Sequence, residues 1–153
     1  MKTRVLVCLL AVAAILVAAG CGGKSRNKAY AGSKADYAAA LDQICSPAFE
    51  KTKRLQPKSL PELITNVPKI KDIARAAIDK IDKLEPPPEV KSAAEDFVSK
   101  SRDALDKFDD IVSAARSGDG AKVQQIGNEI QKLDNETDQD AREIGAQKCV
   151  SPE

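Results

Sequence analysis

The most constraining feature of this chain is an apolar repeat over residues 60–84. Apolar side chains recur there at alternating steps of three and four residues, which keeps one face of a helix apolar. Ile64, Ile73 and Ile78 widen that face, as packing inside a globular bundle requires. The pattern predicts a long amphipathic helix that must bury its stripe against other helices. The stripe consists of Leu60, Leu63, Val67, Ile70, Ala74, Ala77, Ile81 and Leu84.

Helical periodicity recurs in three other stretches, over residues 35–55, 89–117 and 121–144. Short segments rich in proline or glycine separate these stretches from one another, and no stretch alternates with the period of a strand. Four amphipathic helices joined by short connections favour an antiparallel up-down bundle. The sequence therefore predicts an all-α domain over residues 35–153, an antiparallel up-down four-helix bundle with one disulfide.

Several residues mark where these helices begin, end or bend. Ser59 and Glu62 have the spacing of a capping box, and Asp119 is a plausible cap of the fourth helix. Gly145 supplies the C-terminal stop of that helix. Pro47 and Pro68 fall inside the first and second helices, where proline removes a backbone hydrogen bond. We expect a kink or break at Pro47 and a kink at Pro68.

A leader precedes the predicted domain. Lys2 and Arg4 are basic, residues 5–17 form an uncharged apolar run, and the residues at positions 18–20 are small. This order is typical of a secretory signal peptide over residues 1–20. The apolar run is shorter than the roughly 20 residues that a membrane span needs.

Cys21 directly follows the small residues, and Ala18-Ala19-Gly20-Cys21 resembles the lipobox of bacterial lipoprotein precursors, although Leu is commoner at its first position. The resemblance implies that the Cys21 thiol takes a diacylglyceryl group and becomes the mature N-terminus. It implies a lipid-anchored protein at the cell membrane, on the outer, extracytoplasmic face. A plain signal peptide cut nearby and an uncleaved anchor are the alternatives.

The chain has four cysteines. Cys8 leaves with the leader and Cys21 is taken by lipid, so Cys45 and Cys149 remain as two thiols in an oxidising compartment. We expect one disulfide between them, which would join the first helix to the last few residues. The alternative is a pair of free or ligand-binding thiols, but no other soft ligand accompanies them.

Residues 21–34 connect the proposed lipid to the domain. After Cys21 they are small, polar and basic, and they have no apolar period, which predicts a flexible tether. Its cations can lie against anionic headgroups, or the segment can be a solvated spacer. The cations are Lys24, Arg26, Lys28 and Lys34.

The order of features after the tether resembles a group of small helical lipoproteins and secreted proteins of actinobacteria. The resemblance rests on Tyr37 and Ile44-Cys45 in the first helix, on Leu84-Glu85-Pro86-Pro87 before the third, and on the run from Ala141 to Gly145 before Cys149. It covers about residues 37–149 and implies an extracytoplasmic bundle of unassigned activity.

Composition excludes several classes of function. Removal of the leader takes away two of the 24 basic residues, so 22 basic residues remain against 23 acidic ones. The charge is nearly balanced, and no basic stripe is present that could bind nucleic acid. The chain has no histidine, which removes Ser-His and Cys-His nucleophile pairs, di-iron ligands and imidazole metal sites. We therefore expect no enzyme, no cofactor and no metal; an envelope enzyme would need a cleft of convergent carboxylates.

Two weak candidates for a site remain in the later helices. Ser101, Thr137 and Asp140 interrupt apolar stripes and can form a buried polar patch for a small polar ligand. We favour register drift, in which Ala141 turns inward and Asp140 outward. Acidic residues also cluster late, which can attract a cation or a basic partner, although a solvated helix face explains them better. They are Glu129, Asp134, Glu136, Asp138, Asp140 and Glu143.

These observations together indicate a membrane-tethered, extracytoplasmic and non-enzymatic lipoprotein. We expect a monomer that contacts the membrane through the lipid on Cys21 and presents the surface of its bundle to an envelope protein, with no nucleic acid as partner. The alternative is a binding module for a small or apolar ligand held between the helices, which would require a sizeable cavity there.

Overall fold

The predicted helices form and pack against one another. The computed structural model describes residues 29–30 and 32–151. Within these ranges the architecture is all-α, with one disulfide, as the sequence predicts. The helices are α1 (Lys34–Lys53), α2 (Leu60–Ile81), α3 (Lys91–Arg116) and α4 (Gly120–Ile144), and single turns of 3-10 helix cover Pro88–Val90 and Gln147–Cys149.

The first two helices begin at serine caps. The Ser33 side chain accepts from the Asp36 backbone N–H while the Asp36 carboxylate accepts from the Ser33 N–H, which completes a capping box. Ser59 caps α2 as predicted, but the Glu62 carboxylate accepts from the Lys58 N–H at 2.7 Å instead of closing a box on Ser59. These contacts satisfy N–H groups that have no partner inside the helices.

The ends of α4 also follow the prediction. The Asp119 carboxylate accepts from the Lys122 N–H at 2.9 Å and caps the helix. Gly145 ends it with a φ of 95°, a left-handed conformation that glycine adopts without a Cβ penalty. The chain therefore reverses directly after α4.

Neither proline ends its helix, because α1 runs through Pro47 and α2 through Pro68. A break at Pro47 is therefore wrong, while a kink at either proline stays a prediction. Both prolines are exposed. The carbonyl four residues earlier loses its N–H donor. It belongs to the exposed Gln43 in α1 and to the half-buried Ile64 in α2.

The apolar stripe predicted for the second helix extends beyond the residue at which that helix ends. Leu84 lies in a two-residue strand, β2 (Leu84–Glu85), which pairs in parallel with β1 (Ala29–Tyr30). Proline disfavours helical conformation in the residue before it, so the three prolines at 86–88 explain the extended chain here. Apart from this minimal pairing, residues 29–30 and 32–151 contain no sheet. The pairing places two residues of the predicted tether against the domain.

The core divides into two clusters of buried side chains. The larger surrounds Tyr37, Leu41 and Ile144, which are at most 1% exposed, and it includes both cysteines of the disulfide. The smaller lies where α2, α3 and α4 meet, and comprises Val67, Ile111, Val112, Ala114 and Ile126. Burial of these apolar side chains is the main favourable term in folding such a bundle.

Neighbouring helices follow the order of the chain. α1 packs on α2, α2 on α3 and α3 on α4, while α1 meets the Gln147–Cys149 turn more than the body of α4. Ion pairs join Lys71 to Asp109 and Asp82 to Arg102, so residue numbers rise on α2 as they fall on α3. That is the order required of antiparallel neighbours, although the complete up-down arrangement stays a prediction.

The disulfide joins Cys45 of α1 to Cys149 in the last 3-10 turn. Their Cα atoms lie 5.1 Å apart, across a sequence separation of 104 residues, and both side chains are buried. A cross-link over so long a loop removes much of the conformational freedom of the unfolded chain.

We expect the double variant Cys45→Ser/Cys149→Ser to lose about 2–5 kcal/mol in free energy of unfolding, because its unfolded chain is no longer cross-linked. Urea unfolding followed by circular dichroism measures the loss. A reductant should destabilise the native chain by a similar amount and leave the double variant unchanged. A native midpoint that does not respond to reductant would contradict the assignment.

Candidate functional site

Three of the chain's predicted functional residues are cysteines. Cys21 lies outside the described residues, so lipidation stays a prediction. The predicted disulfide pair, Cys45 and Cys149, is bonded in the structure, which removes these sulfurs as free or ligand-binding thiols.

Hydrogen bonds to two carboxylates hold the chain on either side of the disulfide. The Lys148 backbone N–H donates to Asp42 Oδ1 at 2.7 Å, and the Ser151 N–H donates to Asp138 Oδ1 at 2.8 Å. Asp42 belongs to α1 and Asp138 to α4, so the final residues bridge the two helices. The sequence offers little signal for these contacts, because each donor is a backbone group.

The three residues of the predicted polar patch have separate environments. Thr137 is buried, and its hydroxyl donates to the Asp134 carbonyl of its own helix at 2.9 Å. Asp140 is also buried and accepts from Lys100 Nζ of α3 at 2.8 and 3.1 Å. Ser101 is half-buried and joins neither residue through a described hydrogen bond. The structure therefore assembles a Lys100–Asp140 ion pair instead of an open polar patch.

The expected register drift is wrong in one respect. Ala141 does turn inward and is fully buried, but Asp140 is only 7% exposed instead of facing outward. The long Lys100 side chain reaches across from α3 and forms an ion pair with this carboxylate. The pair offsets the free-energy cost of removing the charge from water. The i,i+4 rule pairs residues of the same helix. It therefore does not reveal that the partner of Asp140 is a lysine on another helix.

The late acidic residues do not form one solvated face. Asp138 and Asp140 are buried, and Glu129 accepts from Lys107 of α3 at 2.7 Å. Hydrogen bonds from Lys107 and then Gln125 lower the pKa of the Glu129 carboxylate. In residues 29–30 and 32–151 no three His, Cys, Asp or Glu side chains are grouped so that they could hold a metal ion.

A first cleft lies between α2 and α3 and has a volume of about 310 Å³. Lys71 is buried in its wall and pairs with Asp109, and Arg116 stands at its edge. Phe108, Val112, Pro68 and Ser113 complete the lining.

A second cleft, here named the connector cleft, lies between the α2–α3 connection and α3. Its volume is about 520 Å³, and its apolar lining includes the buried Tyr37 of α1. Burial, and after it the charge of Asp82, raises the pKa of the Tyr37 phenol, which therefore stays neutral. Both clefts are open to solvent, so neither supplies the enclosed cavity that a ligand held between helices would need. The connector cleft is lined by Tyr37, Ile81, Asp82, Leu84, Glu85, Pro86, Lys91, Ala94, Glu95, Val98, Ser99, Arg102 and Asp103.

Comparisons with known proteins add no functional assignment. No protein-family model, no curated protein and no solved structure matches this chain at a significant level. Among the helices described here, none combines the length and apolar character needed to cross a bilayer.

We expect Lys100 and Asp140 to be energetically coupled, because one partner without the other leaves a charge in a largely desolvated place. Asp140→Ala should lower the free energy of unfolding by about 1–3 kcal/mol. A double-mutant cycle with Lys100→Ala isolates the coupling. The Lys107–Glu129 pair joins the same two helices but is more exposed, so its cycle should give less than about 1 kcal/mol.

The coupling energy that this double-mutant cycle measures depends on pH. The hydrogen bond with Asp140 raises the pKa of Lys100 above its ordinary value of 10.5. While the Asp140 carboxylate is ionised, the coupling is therefore present below pH 10.5 and is lost as the pH rises through the raised value. Equal coupling in the two cycles, or a coupling that grows at high pH, would contradict the assignment.

Proposed function

We propose that this protein is a lipid-anchored, extracytoplasmic and non-enzymatic helical domain that presents its surface to another envelope protein. The proposal starts from the leader and the Ala18-Ala19-Gly20-Cys21 sequence. The observation that carries it furthest is the buried Cys45–Cys149 bond, because structural disulfides form and persist in oxidising compartments.

The pairing of two cysteines also supports a separate role for Cys21. The chain has four cysteines, and Cys45 is bonded to Cys149. Cys8 belongs to the predicted leader, so removal of residues 1–20 would leave Cys21 without a cysteine partner in the same chain. Acylation of its thiol accounts for this remaining cysteine without an intermolecular bond.

The distance between lipid and domain is short in this proposal. Seven residues, 22–28, separate Cys21 from β1, and an extended chain of that length reaches at most about 25 Å. The domain would therefore lie close to the outer face of the membrane, within reach of other proteins anchored there.

The described surface of the domain exposes few large apolar side chains. Within the described residues, Leu60 is the large apolar side chain that stands out, with 44% of its area exposed. A partner would thus meet a surface that offers few large apolar side chains for the centre of an interface.

Cys21→Ser should abolish the lipid and release the protein from the membrane fraction, because it removes the acylated sulfur. Labelling cells with an alkyne fatty acid and measuring the mass of the membrane-bound protein test this. Cys8→Ser is the matched control and should stay labelled, since the leader is removed before maturity. An unmodified Cys21 thiol in the mature native protein would reject the anchor.

Chemical crosslinking of intact cells tests the partner. Lysine-reactive crosslinking should yield a covalent complex between the native lipoprotein and an envelope protein, identifiable by mass spectrometry. The Cys21→Ser variant should lose that complex, because the released domain is no longer concentrated at the membrane. A native protein that stays uncrosslinked while its lipid is verified would reject the partner and leave the anchor standing.

A further inference from the structure

The cleft between α2 and α3 has a buried ammonium group in its wall. The Lys71 side chain is 10% exposed, whereas the side chain of its partner, Asp109, is 77% exposed. An ammonium carries three N–H donors, and in the part of the chain that the structure describes Asp109 is the only acceptor of a hydrogen bond from Lys71 Nζ. Buried donors are nearly always satisfied, so water in the cleft, or a ligand that displaces it, must accept from the others.

A second cation borders the same cleft. Arg116 follows Asp109 and Ser113 at seven and three residues along α3, which places all three on one face of the helix. Helical side chains lean towards the N-terminus of their helix, so Arg116 covers the turn that contains Ser113. Its guanidinium pairs with no carboxylate of residues 29–30 and 32–151. The cleft therefore combines cations from two helices with a single carboxylate.

The rest of the lining is mostly apolar. Phe108 and Val112 are four residues apart on α3, and Pro68 lines the α2 side. Val112 is buried and Phe108 is half-buried. The volume of about 310 Å³ lies at the lower end of the range for small-molecule sites, which is roughly 300–1,000 Å³. Such a lining suits a small molecule with an apolar body and an anionic group.

We propose that the α2–α3 cleft binds a small organic carboxylate. Lys71 and Arg116 hold the carboxylate group through charge-assisted hydrogen bonds, and the apolar body lies against Phe108 and Val112. The cleft is open to solvent, so the ligand lies against its wall and keeps one side in water. This differs from a ligand enclosed between the helices.

The charge of the lining selects the class of anion. Lys71, Arg116 and Asp109 together carry a net charge of +1, which matches one carboxylate. A phosphate monoester carries about −1.5 to −2 near pH 7 and would bring excess negative charge against Asp109. Asp109 also competes with the ligand for Lys71, which limits the affinity. Binding at this cleft is independent of lipidation and of the proposed envelope partner, because no residue of its lining belongs to the leader or the tether.

Titration of the native protein with phenylacetate, followed by the NMR shifts of its backbone amides, tests the site. Saturable shifts should appear at residues 68–71 and 108–116. Phenylacetamide has the same shape without the charge, and acetate lacks the apolar body, so each should bind about tenfold or more weakly. Inorganic phosphate should not displace phenylacetate. The absence of saturable shifts at these residues, binding of the amide as tight as that of the acid, or displacement by phosphate would overturn the proposal.

Removal of either cation should weaken phenylacetate binding by about tenfold, because a hydrogen bond to a charged group is lost. Arg116→Gln changes an exposed side chain, and Lys71→Met leaves the exposed Asp109 in water, so circular dichroism should stay that of the native domain. Arg54→Gln is the matched control, since Arg54 is exposed at the end of α1 and lies outside the lining. Arg116→Gln that binds like Arg54→Gln would contradict the assignment.

Removal of the competing carboxylate should have the opposite effect. Asp109→Asn should strengthen phenylacetate binding by about threefold, as expected for the loss of one exposed charge interaction. Asp110→Asn makes the same change at an exposed neighbour outside the lining and should leave the affinity nearly unchanged. Equal effects of the two variants would show a response to net charge alone and would reject the site.

Discussion

The bond between Cys45 and Cys149 connects the first helix to the last residues, and several other contacts depend on it. α4 itself touches α1 only slightly, so the turn at Gln147–Cys149 forms most of the contact between the two ends of the domain. The Asp42 and Asp138 carboxylates bind backbone N–H groups on either side of the disulfide. Detachment of this tail would expose core surface and leave the buried Asp138 carboxylate without its backbone donor, whereas water can solvate Asp42, whose hydrogen bond lies exposed.

Two ion pairs join α3 to α4. Lys100 and Asp140 meet in a largely buried place between α3 and α4, and Lys107 and Glu129 meet nearer to solvent on the same helices. Sliding one helix by a turn would bury Asp140 without its cation, which costs more than the pair gains.

The proposed biology rests on the predicted leader, on Cys21 and on the disulfide. A domain held near a membrane gains effective concentration for any neighbour there, without a tight site of its own.

The sequence by itself determined the helices, their caps and the cysteine pair, because these depend on local periodicity, on Ser59, Asp119 and Gly145, and on elimination among four cysteines. It did not determine the state of the chain at Pro47 and Pro68, through which both helices continue. Nor did it reveal that Leu84 leaves its helix to pair with the tether, or that Asp140 finds Lys100. Only the tertiary structure decided these, because each depends on which distant residue lies opposite, and no short-range pattern encodes that.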